Sequence, residues 1–118
     1  MTSDTGFEVT MDLRGDTATL GLRGELDMAT AWVLEVAVAK VVRAPVTSIV
    51  FDLTHLSFLG SSGLDVILAA HRQAADVGRR CTLVHPNRTA LKVLRLTGTD
   101  SLLGVERESR TPVHRRVG

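Results

Sequence analysis

The chain has 118 residues, 44% hydrophobic and 23% charged, which fits one globular domain and excludes a disordered or fibrous body. Fourteen Lys plus Arg stand against thirteen Asp plus Glu, a formal net charge of +1, so no basic excess points to nucleic acid or an anionic membrane. A lone cysteine, Cys81, rules out an internal disulfide and a zinc quartet.

No apolar run approaches the roughly 18 residues needed to cross a bilayer, and Met1 to Gly6 lack the basic and apolar regions of a signal peptide. The expectation is a cytoplasmic protein without membrane insertion, a monomer or weak dimer, needing no cofactor.

Phe7, Val9, Met11 and Leu13 alternate with polar residues, Gly15-Asp16 interrupts, and Ala18, Leu20 and Leu22 resume the alternation, which predicts a hairpin with one apolar face. From Asp27 the period changes: Ala31, Leu34, Val38 and Val41 predict a helix of about four turns, stopped at Arg43-Ala44-Pro45. Ile49 to Leu53 is a continuous apolar run ending in Asp52-Leu53, as in a strand covered on both faces or nearly so. His55 to Gly60 reads as a loop.

Leu64, Ile67, Leu68, His71 and Ala75 trace a second helix that ends near Gly78. Cys81 to Val84 reads as a strand, Asn87 as the N-cap of a third helix through Leu91, Leu94 and Thr97, and Gly98 as its left-handed C-cap. Leu102 to Val105 reads as a short last strand. The order β-β-α-β-α-β-α-β predicts an α/β fold, a mixed central sheet with helices packed mainly on one side. The domain is expected over 1–107, followed by a flexible Arg-rich tail over 108–118.

Little in the chain resembles an active site. Gly60-Ser61-Ser62-Gly63 does not match the spacing of a nucleophile elbow, and no Lys follows it as a phosphate loop requires. His55, His71, His85 and His114 lack metal-ligand spacing. Cys81 lies in an apolar strand, where a thiol is a small buried hydrophobe. No catalytic residue and no metal site is therefore expected.

What remains is the junction between the third strand and the second helix. In open α/β sheets, ligands and partners gather where strands end and helices begin. Two readings of Ser61 and Ser62 fit this place. In one, a serine caps the helix and Asp65, three residues after Ser62, completes a variant capping box. In the other, a serine carries a phosphate, which the helix dipole favours while the added charge repels a docked partner. Trp32 and Val36, four apart and off the apolar stripe of the first helix, read either as flanking core contacts or as an anchor for a partner.

Taken in order, Gly24-Glu25-Leu26-Asp27 with Thr30-Ala31 and Leu34, Ile49 to Leu53, Leu56 to Leu64 and Val93 to Gly98 resemble the STAS domain of bacterial anti-sigma factor antagonists. The resemblance implies a binding module, not an enzyme. It docks on an anti-sigma factor that is a serine kinase, frees a sigma factor for transcription, is switched off by phosphorylation and is restored by a serine phosphatase. By motif position the phosphoacceptor is Ser61, with Ser62 the alternative. Asp27, Met28, Thr30, Gly60, Ser61, Ser62, Leu64 and Asp65 form the implied docking edge. Asp27 also reads as the N-cap of its own helix.

Gly60 stands where the family commonly has an acidic residue, Asp65 where it often has a small one, and the family's closing helix is not legible after Val105. Two other readings of the same place are a nucleotide- or lipid-binding sensor and an antagonist that is not controlled by phosphorylation.

Overall fold

The computed structural model describes residues 6–100 and the backbone of 104–106. The elements run β1 (Glu8–Arg14), β2 (Thr17–Leu26), α1 (Ala31–Val41), β3 (Ser48–Leu59), α2 (Ser61–Asp76), β4 (Arg80–Val84), α3 (Arg88–Leu96) and β5 (Gly104–Glu106). This is the expected order of a mixed α/β domain. The expected tail, 108–118, lies outside the described residues.

The strands form one sheet in the order β1-β2-β3-β4-β5, with β1 antiparallel to β2 and all other neighbours parallel. Because spatial order follows chain order, every parallel crossover steps the same way, and right-handed connections then set the three helices on one face. Side chains alternate accordingly. Ala18, Leu20, Leu22, Ile49, Phe51, Leu53, Cys81 and Leu83 are buried, whereas Thr17, Thr19, Val50, Asp52, Thr82 and Val84 on the other face are half-exposed. Among the described residues, the run Ile49 to Leu53 is thus covered by helices on one face only.

Gly15 opens the β1–β2 turn with φ of +61°, and Asp16 has no positive φ, the pattern of a type II′ hairpin. The expected apolar face of the hairpin holds only in part: Phe7 and Val9 are buried, while Met11 and Leu13 are 40% and 58% exposed. α1 is shorter than expected, 11 residues beginning at Ala31.

The predicted loop over His55 to Gly60 is strand as far as Leu59. β2 runs on to Leu26 and carries β3 with it to Leu59, across register shifts between Gly21 and Arg23 and between Gly24 and Glu25. Such irregularities destroy strict alternation. In their wake Leu53, Leu56 and Leu59 are buried at every third residue.

In α2 the buried side is Leu64, Ile67, Ala70 and Ala74, rotated from the expected line through His71 and Ala75. Alanines at the contact let the helix lie close to β4 and α1. Asn87 caps α3 as predicted, its side-chain oxygen accepting from Ala90 N–H at 2.8 Å, and its amide nitrogen donates to the Leu56 carbonyl.

Burial pushes the Cys81 thiol from its ordinary value of 9.0 up to about 11. The unfolded chain therefore ionises this group first. Its contribution to stability is intact below pH 9 and is lost as pH rises towards 11, a loss of up to about 2–3 kcal/mol. Urea unfolding at pH 8 and pH 10.5 is expected to show this loss in the native protein and a smaller one in Cys81→Ala.

Candidate functional site

The carboxyl ends of β2 and β3 are tied together where α2 begins. The Gly60 N–H donates to the Leu26 carbonyl at 2.9 Å, and the Leu64 N–H donates to the Gly60 carbonyl at 3.0 Å as the first turn of α2 closes. Gly63 lies directly on Leu26: a Cβ at this position would stand 2.3 Å from Leu26 Cγ. Glycine in a helix costs about 1 kcal/mol relative to alanine, so its presence here marks a close approach. The contact sets Ser61 and Ser62 beside the turn that opens at Asp27.

Gly60, not a serine, is the N-cap of α2, and no side chain caps the helix. The reading in which Ser61 or Ser62 caps α2 is thereby overturned. The reason is local: Gly60 has extended backbone, φ −98° and ψ 174°, so the helical turn already starts at Ser61 and its hydroxyl is placed past the capping position. Asp65 falls in the second turn and completes no capping box, since the first turn carries no acidic residue. Ser61 is exposed and Ser62 half-buried. With a glycine cap, the N–H groups of Ser61, Ser62 and Gly63 have no intrahelical acceptor and face outward with the positive end of the helix dipole.

Asp27 organises the neighbouring turn. Its Oδ1 accepts from the Ala29 N–H at 2.9 Å and the Thr30 N–H at 3.1 Å. It does not cap α1, whose N-cap is Thr30. The Thr30 hydroxyl donates to the Glu25 carbonyl at 2.7 Å and accepts from the Asp27 N–H at 2.9 Å. Each of these backbone groups would otherwise be orphaned in a part-buried turn. Thr30→Val keeps the shape and removes the hydroxyl, and is expected to lower stability by about 1–3 kcal/mol in chemical unfolding.

Of the residues expected at the docking edge, Met28 is 84% exposed, Ser61 and Asp65 are exposed, and Asp27, Gly60 and Ser62 are half-buried. Thr30 and Leu64 are buried, so they hold the surface from beneath instead of facing a visitor. Sequence reasoning passed over Phe58. Its ring, 46% exposed, packs on Gly60, where a Cβ would come within 3.1 Å of Cε2. The period-two break in β3 concealed its outward aim. Trp32 and Val36 are both exposed on α1, at 54% and 37%, off the buried stripe of that helix.

Other features are apart from this mouth. A hollow of about 250 Å³ lies between α1 and α2, lined by Val38, Val42, Val66 and Ala70 among others. Among the described residues no three His, Cys, Asp or Glu side chains are grouped to hold a metal ion, and no helix is long and apolar enough to cross a membrane.

The chain matches a model of the STAS domain over residues 8–113. It is 32% identical to an anti-sigma F factor antagonist of Lysinibacillus sphaericus over 93 residues, 78% of this chain and 79% of the relative. An anti-sigma factor antagonist of Mycobacterium paratuberculosis superposes with a TM-score of 0.83 over 100% of both chains at 22% identity. The Bacillus cell fate determinant SpoIIAA in its phosphorylated form superposes at 0.67 over 96% of this chain and 100% of its own, at 26% identity.

Proposed function

The chain belongs to the STAS domain family, and on that premise we propose that it is an anti-sigma factor antagonist, a reversible binding module controlled at Ser61. It docks through Asp27, Met28, Gly60, Ser61, Ser62 and Asp65 on an anti-sigma factor that is a serine kinase, in the cytoplasm, and so releases a sigma factor. Phosphorylation of Ser61 ends the docking and a serine phosphatase restores it. No cofactor takes part, and the protein itself catalyses nothing.

The observation that carries this reading is the state of Ser61. It is the exposed first residue of α2, relieved of capping by Gly60, at the N-terminus of a helix held rigidly on β2. A phosphate there meets the outward N–H groups and the favourable end of the dipole, so modification leaves the fold standing and changes only what the surface presents. The names of the relatives agree with it, and SpoIIAA has been solved both phosphorylated and unphosphorylated.

Incubation with the cognate kinase and ATP, followed by intact-mass measurement, tests it. One phosphate, about 80 Da, is expected on the native chain and on Ser62→Ala, and none on Ser61→Ala. A second reading, an antagonist whose docking is not controlled by phosphorylation, is favoured by Asp65. It stands four residues beyond Ser61 on the same side of α2, where a carboxylate opposes an incoming phosphate. Under that reading the native chain binds the partner and gains no mass.

A further inference from the structure

Three large apolar side chains that reach the surface, Phe58, Met28 and Trp32, adjoin the mouth. The Phe58 ring rests on Gly60, and the bare side of Gly60 also faces the turn at Asp27: a Cβ there would come within 3.1 Å of Phe58 Cε2 and 3.7 Å of Asp27 Cα. Met28 follows Asp27. The Ala31 N–H donates to the Asp27 carbonyl at 2.9 Å, so the chain makes one helical turn ahead of α1, and Met28 stands a turn before Trp32 and two before Val36. A band of apolar surface therefore runs from Phe58, past Gly60 and Ser61, through Met28 and onto α1.

The backbone beneath this band is fixed. Thr30 and Asp27 close the turn that carries Met28, and the Gly63–Leu26 contact holds α2 beside it. Side chains displayed on a fixed backbone need little further ordering when a partner covers them. Aromatic residues and Met are enriched at the centres of protein interfaces, and Trp is prominent among residues whose truncation costs most. The docking edge proposed above is polar or glycine except for Met28, and the band supplies the apolar centre that such an edge lacks.

Charge narrows what covers the band. Glu25, paired with Phe58 across β2 and β3, and Asp27 both border it, and no Lys or Arg occurs from Gly24 to Ala39 or from Thr54 to His71. An anionic membrane calls for cations beside the apolar residues. A second copy docked about a two-fold axis on this band would bring the same carboxylates against one another. A different protein fits, and the band is continuous with the edge on which one docks.

We propose that Phe58, Met28 and Trp32 are the apolar anchors by which the anti-sigma factor holds this chain, seated in an apolar cleft of that partner on either side of Ser61. The proposal rests on the docking reading and adds its energetic centre. A phosphate on Ser61 then enters a dry contact in which neither of the two cation-free stretches offers it a Lys or an Arg.

Trp32 is the one tryptophan of the chain, which has no tyrosine, so its emission reports whether the band is covered. The full chain is titrated to saturation with the cognate anti-sigma factor in the absence of ATP, and the Trp32→Phe chain serves as the blank for the partner's own emission. Trp32 emission is expected to shift to shorter wavelength on binding, and its quenching by acrylamide to fall at least about twofold. In calorimetry Phe58→Ala, Met28→Ala and Trp32→Ala should each weaken binding at least about tenfold. Val77→Ala, which removes an exposed apolar side chain at the opposite end of α2, should stay within about twofold of native. Phe58→Leu keeps an apolar side chain for the fold and should fall between native and Phe58→Ala, so the test does not depend on how well the alanine variant folds. A complex in which Trp32 stays as open to acrylamide as in the free chain, or folded anchor variants that bind like native, would overturn the proposal and leave the Ser61 reading standing. A native chain that does not bind the anti-sigma factor overturns both.

Discussion

Gly63→Ala is expected to destabilise the protein by about 1–3 kcal/mol, against the gain of about 1 kcal/mol that the same change brings in an unobstructed helix. The sign decides the matter. The new methyl would lie 2.3 Å from Leu26 Cγ, 2.6 Å from Cδ2 and 3.2 Å from Cδ1, and real carbon contacts do not approach so closely. Leu26 is fully buried and has no room to withdraw. Either Leu26 leaves its rotamer or the first turn of α2 lifts off β2, taking the Gly60–Leu26 hydrogen bond with it.

A double-mutant cycle separates this contact from any general effect of alanine. Leu26→Ala alone removes a buried side chain and is expected to cost about 2–5 kcal/mol. Once the leucine is gone the Gly63 methyl has space, so Gly63→Ala in that background should be neutral or stabilising, a coupling of at least about 1 kcal/mol. Chemical unfolding of the four proteins measures it. If Gly63→Ala stabilises the native background, α2 is not clamped on β2, and the placement of Ser61 loses its structural basis.

That clamp shows why some of this molecule is legible in its sequence and some is not. The Gly15 turn, the Asn87 cap and the buried Cys81 are read correctly because each follows from chemistry within a few residues: a positive φ, a side-chain acceptor, a thiol among apolar neighbours. The stretch from His55 to Gly60 is misread because its conformation is imposed from outside. β3 takes up an extra residue at each of two register shifts to stay paired with β2 as far as Leu26, so buried leucines recur every third residue and mimic a loop. The end of β1 is misread for a related reason, since alternation marks a face but does not show how far the covering elements reach along it.

The sequence places Ser61 and Ser62 at the start of the second helix, but it does not show how that start is capped. Ser, Thr and Asp in front of an apolar run read as caps, and here none of them serves α2: glycine does, with its backbone alone. Asp27 likewise spends Oδ1 on Ala29 and Thr30 in the preceding turn. The serine hydroxyls take no part in capping α2. Thr30 and Leu64, which share the motif with the surface residues, are turned inward beneath them.

Phosphorylation of Ser61 is expected to weaken docking by roughly a hundred- to several-thousandfold while the melting temperature of the free protein hardly moves. The two effects have different sources and can be weighed. On the free domain, the helix dipole favours the phosphate by about 0.3–1 kcal/mol. Asp65, about 6 Å away on the helix surface, opposes it by about 1 kcal/mol in water and less in salt. These nearly cancel. In the complex, the same group adds about −1.5 to −2 charges to a surface that must be desolvated, and an unpaired buried charge costs about 3–5 kcal/mol. Docking therefore carries almost the whole effect. Calorimetry against the partner should find Ser61→Ala close to native affinity and Ser61→Asp weaker, though by less than phosphoserine, because a carboxylate has one charge and two oxygens where phosphate has more. Asp65→Asn should slightly raise the stability of the phosphorylated chain. Equal partner affinities for Ser61→Ala and the phosphorylated protein would place Ser61 outside the contact and end the case for a charge switch, whatever the kinase does to it.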